Sequence, residues 1–330
     1  MMDNSAARRS TCISLLCDQT YLFPTLVAAK QVSAQAEGLA DVVIVLSSSN
    51  LSADQLALYE KVSGAKIHAL PNHLNALIDN SIPPDFFKTH VNRAALYRLF
   101  IGDVVGEPYD TIMYMDGDLL IRGSLADVLK LQLLPGEVGA VPDWVAHHST
   151  PEMPFFEENR EYLTKLQMEP QFWGSYFNSG VMIASRSTWR DIGQAAFQFL
   201  IKNPSACRLH DQSALNHACQ GRVRPLPIRY NFIRQYMYHP AYKQVNPTVL
   251  HFVGKLKPWH GVFKPWGKAE YQPYVDLYSQ LPAGALVWPK KPLLQTLAYK
   301  LKTTLDKGEY TDKAYRDRIG QIILERNEWR

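Results

Sequence analysis

Thr111-Ile112-Met113-Tyr114-Met115-Asp116-Gly117-Asp118 is the stretch whose reading decides the fold of this chain. Its first five residues are β-branched, aromatic or apolar and are bounded upstream by Gly106, Pro108 and Asp110, which predicts a buried strand. Two carboxylates therefore fall where that strand stops. In open α/β sheets ligands bind outside the carboxyl ends of the strands, and hard oxygen ligands there suit Mg²⁺ or Mn²⁺ better than a thiolate-bound metal. A calcium loop beginning at Asp116 is excluded: its fifth and sixth positions would need an oxygen ligand and glycine, and Leu120 and Ile121 stand there.

Upstream of this stretch, strand and helix patterns alternate. Thr11–Cys17, Asp41–Leu46 and residues 66–70 read as strands, and residues 23–36, 52–62 and 92–101 as helices, with Ser52 and Gln55 spaced for a capping box. Such alternation implies parallel pairing through right-handed crossovers. Downstream, Ser124 is placed to cap a short helix, and residues 137–142 resemble a strand leading into Asp143. Residues 144–174 lose the pattern and read as an inserted flap or a substrate-facing segment. Residues 176–185 return to the sheet, Ser187 is expected to cap the next helix, and residues 210–219 form another. Residues 225–273 read as loops around one strand at 249–253, and a pair of helical patterns follows Pro292.

With 330 residues, 46% hydrophobic and 20% charged, the chain can bury a large core. We expect one catalytic domain over residues 1–285 and a basic helical tail over 286–330. No apolar run approaches the ~20 residues that span a bilayer. Residues 13–16 are too short an apolar stretch for a signal peptide, so a soluble, cytoplasmic chain is expected. Cys12, Cys17, Cys207 and Cys219 show no zinc or disulfide spacing and read as reduced thiols. All of the +4 net charge resides in the tail, but no nucleic-acid motif accompanies it and no such partner is expected. In the tail, Tyr315, Ile319, Ile322 and Ile323 share one helical face bordered by Arg316, Arg318 and Arg326. That face would either pack on the main domain or lie on anionic lipid at the inner face of the plasma membrane.

Far downstream stands His251-Phe-Val-Gly254-Lys-Leu-Lys257-Pro-Trp259. Two carboxylates, an imidazole and a lysine together suit a divalent metal holding a diphosphate. Asp116, Asp118 and His251 would hold the ion. Lys257 would neutralise the diphosphate, and Gly254 would let backbone approach it without a Cβ. Each residue has a plainer reading as well. The Asp pair would serve a turn, His251 a core, Asp211 a first helical turn, Arg98 a surface ion pair, and Asn178 with Gly180 a bulge.

Taken in order, Asp116-Gly117-Asp118, Phe177-Asn178-Ser-Gly180, His210-Asp211-Gln212-Ser-Ala-Leu-Asn216 and the His251 segment resemble glycosyltransferase family 8, which includes bacterial lipopolysaccharide galactosyl- and glucosyltransferases and glycogenin. The resemblance spans residues 11–259. It implies an α/β GT-A fold, a UDP-hexose donor, Mn²⁺ (or Mg²⁺) and retention of anomeric configuration. It implies that Asp18 and Tyr21 meet uracil, that Arg98 and Gly117 lie near sugar and diphosphate, and that Asp143, Asn178, Asp211 and Gln212 bind donor hydroxyls or flank the anomeric carbon. Gln19 and Thr20 depart from the acidic and amide residues that some members carry there. Retention leaves two routes open: attack by Asp211 or Gln212 to form a covalent intermediate, or same-face substitution with Gln212 stabilising positive charge. The expected acceptor is a surface glycan or glycolipid, its pocket built by residues 144–174 and 225–242. A noncatalytic sugar-nucleotide-binding protein and a metal-dependent nucleotide-sugar hydrolase are the rival readings.

Overall fold

Alternation upstream of Asp116 produces one half of a sheet. In the computed structural model, which describes residues 10–47, 50–82, 93–305 and 310–329, strands β1 (Thr11–Cys17), β2 (Asp41–Leu46), β3 (Lys66–Ala69) and β4 (Thr111–Met115) run parallel. Expectations touching residues 1–9, Asn92 and Arg330 lie outside the described residues. After the short β5 (Leu119–Ile121), β6 (Val138–Pro142), β7 (Phe177–Ser185) and β8 (Val223–Pro225) complete a seven-stranded sheet of order β3-β2-β1-β4-β7-β6-β8. β7 enters antiparallel to both β4 and β6, so the sheet is mixed.

Side chains alternate across it as a strand period of two requires. Ile13, Leu15, Met113, Met115, Val181 and Ile183 join the apolar cluster on one face, and Cys12, Leu16, Ile112, Tyr114, Met182 and Ala184 join the other. Both faces are therefore covered, and each fully buried large aliphatic side chain contributes ~1.5–3 kcal/mol. All four cysteines are buried free thiols.

A second, three-stranded sheet sets the site. β9 (Phe232–Ile233), β10 (Val249–His251) and β5 form the order β5-β10-β9, with β10 antiparallel to β5 and parallel to β9. β5 starts at the residue after Asp118, and its Leu119 pairs with His251. That register carries the imidazole to the aspartates.

Several local expectations are corrected. Residues 144–174 are not an irregular flap: they hold helices Trp144–His147 and Phe156–Lys165 and a 3₁₀ segment, Pro170–Ser175. Helix Phe156–Lys165 buries only Asn159, Tyr162 and Leu163, and the pairs Arg160–Glu157 and Lys165–Glu161 line its exposed side, so its apolar period is weak. Ser185, not Ser187, caps helix Arg186–Lys202 by accepting from Thr188 N. The helix expected at 92–101 tightens into a 3₁₀ turn at Arg98–Phe100 before resuming at Ile101–Val104. Residues 225–273 contain β9 as well as β10, and helix Lys268–Ser279 runs through Pro273.

The two tail helices behave differently. Helix Lys313–Glu325 buries Ile319 and Ile323 in the same cluster as Tyr236 and Met237, while helix Leu293–Leu305 leaves Leu294 81%, Leu297 54% and Leu301 63% exposed. No helix among the described residues is long and apolar enough to cross a membrane.

Candidate active site

Where β4 ends, the chain turns through Gly117, whose close packing is obligatory: a Cβ there would sit 2.2 Å from Thr25 Oγ1. The turn presents Asp116 and Asp118 to His251. Ligand atoms of Asp116, Asp118 and His251 all lie within 4.8 Å of one another, with His251 Nε2 3.7 Å from Asp116 Oδ2 and 3.3 Å from Asp118 Oδ1. Gly180, on the neighbouring β7, leaves room for this approach, since a Cβ would fall 2.3 Å from His251 Cε1 and 2.9 Å from Asp116 Oδ2.

Cations complete this corner. Lys257 Nζ donates to Asp118 Oδ2 at 2.5 Å and to the Phe252 carbonyl at 2.6 Å, so it stands bonded to a candidate metal ligand. Burial works against the Asp118 charge, but Lys257 and His251 outweigh it and hold the carboxyl well below the usual range. Arg98 is buried between two acids, 3.1 Å from Asp116 Oδ1 and 2.9 Å from Asp211 Oδ2. The contact with Asp211 is an ion pair rather than an aligned hydrogen bond, because Nε–H points at the Ala95 carbonyl, 3.2 Å away. Burial disfavours the guanidinium charge, yet Asp116 and Asp211 keep Arg98 firmly protonated. For Asp211, burial dominates over Arg98 and lifts the carboxyl to about 6.

A hydrogen-bonded chain joins the remaining candidates. Asn178 Nδ2 donates to Asp143 Oδ2 at 3.0 Å and to Gln212 Oε1 at 3.2 Å, and Gln212 Oε1 also accepts from Ser179 N at 3.2 Å. Asp143 uses its other oxygen to cap helix Trp144–His147, and burial raises its pKa. The register between β6 and β7 shifts at Ala140/Val141, opposite Asn178 and its neighbours. Asn178 is thus both a bulge residue and a member of the cluster.

Asp18 and Tyr21, just beyond β1, line a cavity of about 220 Å³ shared with Arg98, Asp116, Gly117 and Asp118. Asp18 Oδ1 accepts from Tyr21 N at 2.9 Å, and Tyr21 packs edge-on to Trp259 with ring centroids 5.7 Å apart. Gly254 turns the chain after β10 at φ +92°, a conformation L side chains rarely adopt. Asp211, against Arg98, lies outside this cavity, and Asp143, Asn178 and Gln212 form a hydrogen-bonded group of their own.

Residues 12–262 match the family model described as "Glycosyl transferase family 8". The chain belongs to that family. Lipopolysaccharide 1,2-glucosyltransferase of Escherichia coli (strain K12) is 28% identical over 180 residues, 51% of this chain and 50% of that protein. General stress protein A of Bacillus subtilis (strain 168) is 29% identical over 205 residues, 57% of this chain and 66% of that protein. Lipopolysaccharide 1,3-galactosyltransferase of Salmonella typhimurium (strain LT2) is 26% identical over 187 residues, 53% of this chain and 50% of that protein. The matches thus span about half to two thirds of these relatives. Among solved structures, the galactosyltransferase LgtC in complex with donor and acceptor sugar analogs shares the fold at TM-score 0.63 and 22% identity, over 84% of this chain and 100% of that one. The architecture is GT-A: a mixed sheet flanked by helices, followed by a helical C-terminal region.

Residues the sequence reading passed over complete the site of this family 8 chain. Buried Asn231 accepts from His251 Nδ1 at 2.8 Å and donates through Nδ2 to Asn178 Oδ1 at 2.9 Å, linking the amide chain to the imidazole. That bond leaves Nε2 with the lone pair turned to the aspartates. Tyr114 Oη donates to Asp116 Oδ1 at 2.7 Å, and Ser179 accepts from Arg98 through both its carbonyl and its hydroxyl at 3.0 Å. A polar Asn231 set between Tyr230 and Phe232 was the available signal, because an amide in an apolar run must find buried partners.

Proposed function

We propose that this chain is a retaining hexosyltransferase, which moves glucose or galactose from UDP-hexose to a hydroxyl of a lipopolysaccharide or other surface glycan. The observation that carries this reading is the convergence of Asp116, Asp118 and His251 Nε2 beside a cavity that Asp18 and Tyr21 also line. Two hard carboxylates and an imidazole oriented by Asn231 fit Mn²⁺ or Mg²⁺. The bound ion would offset charge on the departing diphosphate.

The protein groups divide the remaining work. Asp18 accepts from uracil and Tyr21 stacks on it, while Gly254 admits phosphate against backbone. Asp143, Asn178 and Gln212, already sharing hydrogen bonds, suit the hexose hydroxyls. Asp211 is held by Arg98 and the Gln212 amide is a weak nucleophile, which supports same-face substitution over a covalent intermediate. The bond from C1 to the phosphate oxygen breaks with its electron pair going to UDP, the acceptor oxygen bonds C1 from the same side, and its proton passes to a phosphate oxygen. Gln212 Oε1 stabilises the positive charge that develops at C1.

We treat residues 1–285 as the catalytic domain and 286–330 as a tail that brings it to anionic lipid. Leu294, Leu297 and Leu301 are exposed at spacings of one helical face, beside Lys300 and Lys302 and following Lys290 and Lys291. That assignment moves the membrane face from helix Lys313–Glu325, whose apolar side is buried, to helix Leu293–Leu305.

Incubation with UDP-glucose or UDP-galactose and Mn²⁺, with and without extracted bacterial glycolipid, tests the reading through UDP release. Slow release from one donor, accelerated by the extract, is expected. No release under any condition would favour the noncatalytic rival, and release indifferent to every glycan would favour the hydrolase.

A further inference from the structure

The carboxylates Asp116, Asp118, Asp143 and Asp211 crowd this site, and the cations among them are already engaged by protein acids: Arg98 by Asp116 and Asp211, Lys257 by Asp118. A sugar nucleotide adds further negative charge. A divalent ion offsets part of it, but an anion settling beside the loop from His251 to Lys257 gains most from a cation that no protein carboxylate is using.

Arg234 is such a cation. It directly follows β9, whose Ile233 pairs with His251, so the small sheet carries it alongside the strand that bears the imidazole and the loop that follows it. Its Nη2 lies 3.8 Å from where a Cβ would sit on Gly254, against the turn that begins the exposed part of the loop. Arg234 Nε is buried and has no hydrogen-bond partner, and no carboxylate lies within ion-pair distance of the guanidinium among the described residues. The adjoining Gln235 carries a second buried, unmatched polar atom, Oε1. Buried polar groups are rarely left unmatched, and those that are mark strain or a place where a ligand supplies the partner.

We propose that Arg234 is an anion-binding residue of this site, its guanidinium taking a phosphoryl or carboxylate oxygen that lies against the Gly254 turn. This inference rests on the sugar-nucleotide reading above. Two sources share that chemistry: the diphosphate of the donor, and an acidic substituent on the acceptor. Arg rather than Lys fits either, because its planar fork binds two oxygens at once.

The test uses the full chain as wild type, Arg234→Met and Arg234→Lys, with thermal melts to establish that all three fold alike. In the donor arm, calorimetry with Mn²⁺ compares UDP with uridine. In the acceptor arm, transfer is measured to phosphorylated lipopolysaccharide core oligosaccharide and to the same material after phosphatase treatment. If the diphosphate is the ligand, Arg234→Met weakens UDP at least about tenfold and leaves uridine unchanged, with Arg234→Lys between. If the acceptor supplies the anion, UDP binding is unaltered but the wild-type preference in KM for the phosphorylated oligosaccharide disappears in Arg234→Met. Wild-type binding of UDP together with no change in either arm would overturn the role of Arg234 while leaving the sugar-nucleotide reading intact. Failure of the wild type to bind UDP would remove that reading and this one together.

Discussion

Gly180 shows how tightly the corner is built. With hydrogen in place of a Cβ, β7 passes close enough for Asp116 and His251 to meet, and a methyl group would fall 2.3 Å from the imidazole. Gly180→Ala should therefore separate the ligands, with loss of Mn²⁺ binding by titration calorimetry and a fall in kcat/KM on the order of 10²-fold, as misplaced catalytic groups cause. Retained Mn²⁺ affinity would show that the ligands need no such contact. Asn231 acts at one remove. It fixes the His251 ring through Nδ1, so Asn231→Ala should weaken Mn²⁺ by about 10–100-fold, and Asn231→Asp, which keeps the acceptor, should lose less. An equal loss in both variants would argue that the Asn231 Nδ2 bond to Asn178, not the imidazole bond, is what matters. The carboxylates and His251 were visible in the sequence because their residue types declare a chemistry. Gly180 stood in the sequence as a motif position and Asn231 as an amide in an apolar run, and the task of each depends on neighbours that only the fold supplies.

At the level of elements, helix Lys313–Glu325 is joined to the domain by histidines held in the neutral form. His148 Nδ1 donates to the Trp144 carbonyl and its Nε2 accepts from Tyr315 Oη, both at 2.8 Å. His239 Nδ1 accepts from Ala241 N at 3.0 Å while Nε2 donates to the Arg316 carbonyl at 2.8 Å. Burial lowers both, and it pushes His147, bonded to Tyr236, down to about 3 with added effect from Arg326 and His148. The unfolded chain binds these protons near pH 6.5 and the folded chain does not, so stability is full above that pH and falls below it, for His147 until the pH reaches about 3. For fully buried His147 the loss is up to ~1.4 kcal/mol per pH unit in that window. Urea melts at pH 7.5 and 5.0 should show a lower midpoint at pH 5.0, with a smaller difference in His147→Asn; an identical difference would exclude His147 as the source. Sequence periodicity served the strands well because their side chains alternate between two buried faces. It failed for helix Phe156–Lys165, where charged pairs rather than an apolar stripe occupy most of the surface.

Over the whole molecule, the tail divides into a part that the core requires and a part that it does not. Removing residues after Pro292 would expose the surface covered by Ile319 and Ile323, so truncation should lower Tm and cannot report on membranes. The triple change Leu294→Glu, Leu297→Glu and Leu301→Glu addresses the exposed face instead. It should abolish sedimentation with phosphatidylserine liposomes while leaving Tm and UDP release unaltered, and undiminished sedimentation would end the proposal of a lipid-facing helix. The sequence by itself determined the alternating strands and helices, the turn after β4 and the ordered motifs, because periodicity and turn chemistry act over a few residues. Only the tertiary structure decided that β7 runs antiparallel through the sheet, that Lys257 bonds Asp118, that Asn231 orients His251 and that Arg234 has no acid beside it among the described residues. Those outcomes follow from the register of β5 with β10 and of β9 with β10. Strand pairing between distant segments is chosen by how a whole core packs, and no local pattern in the chain records that choice.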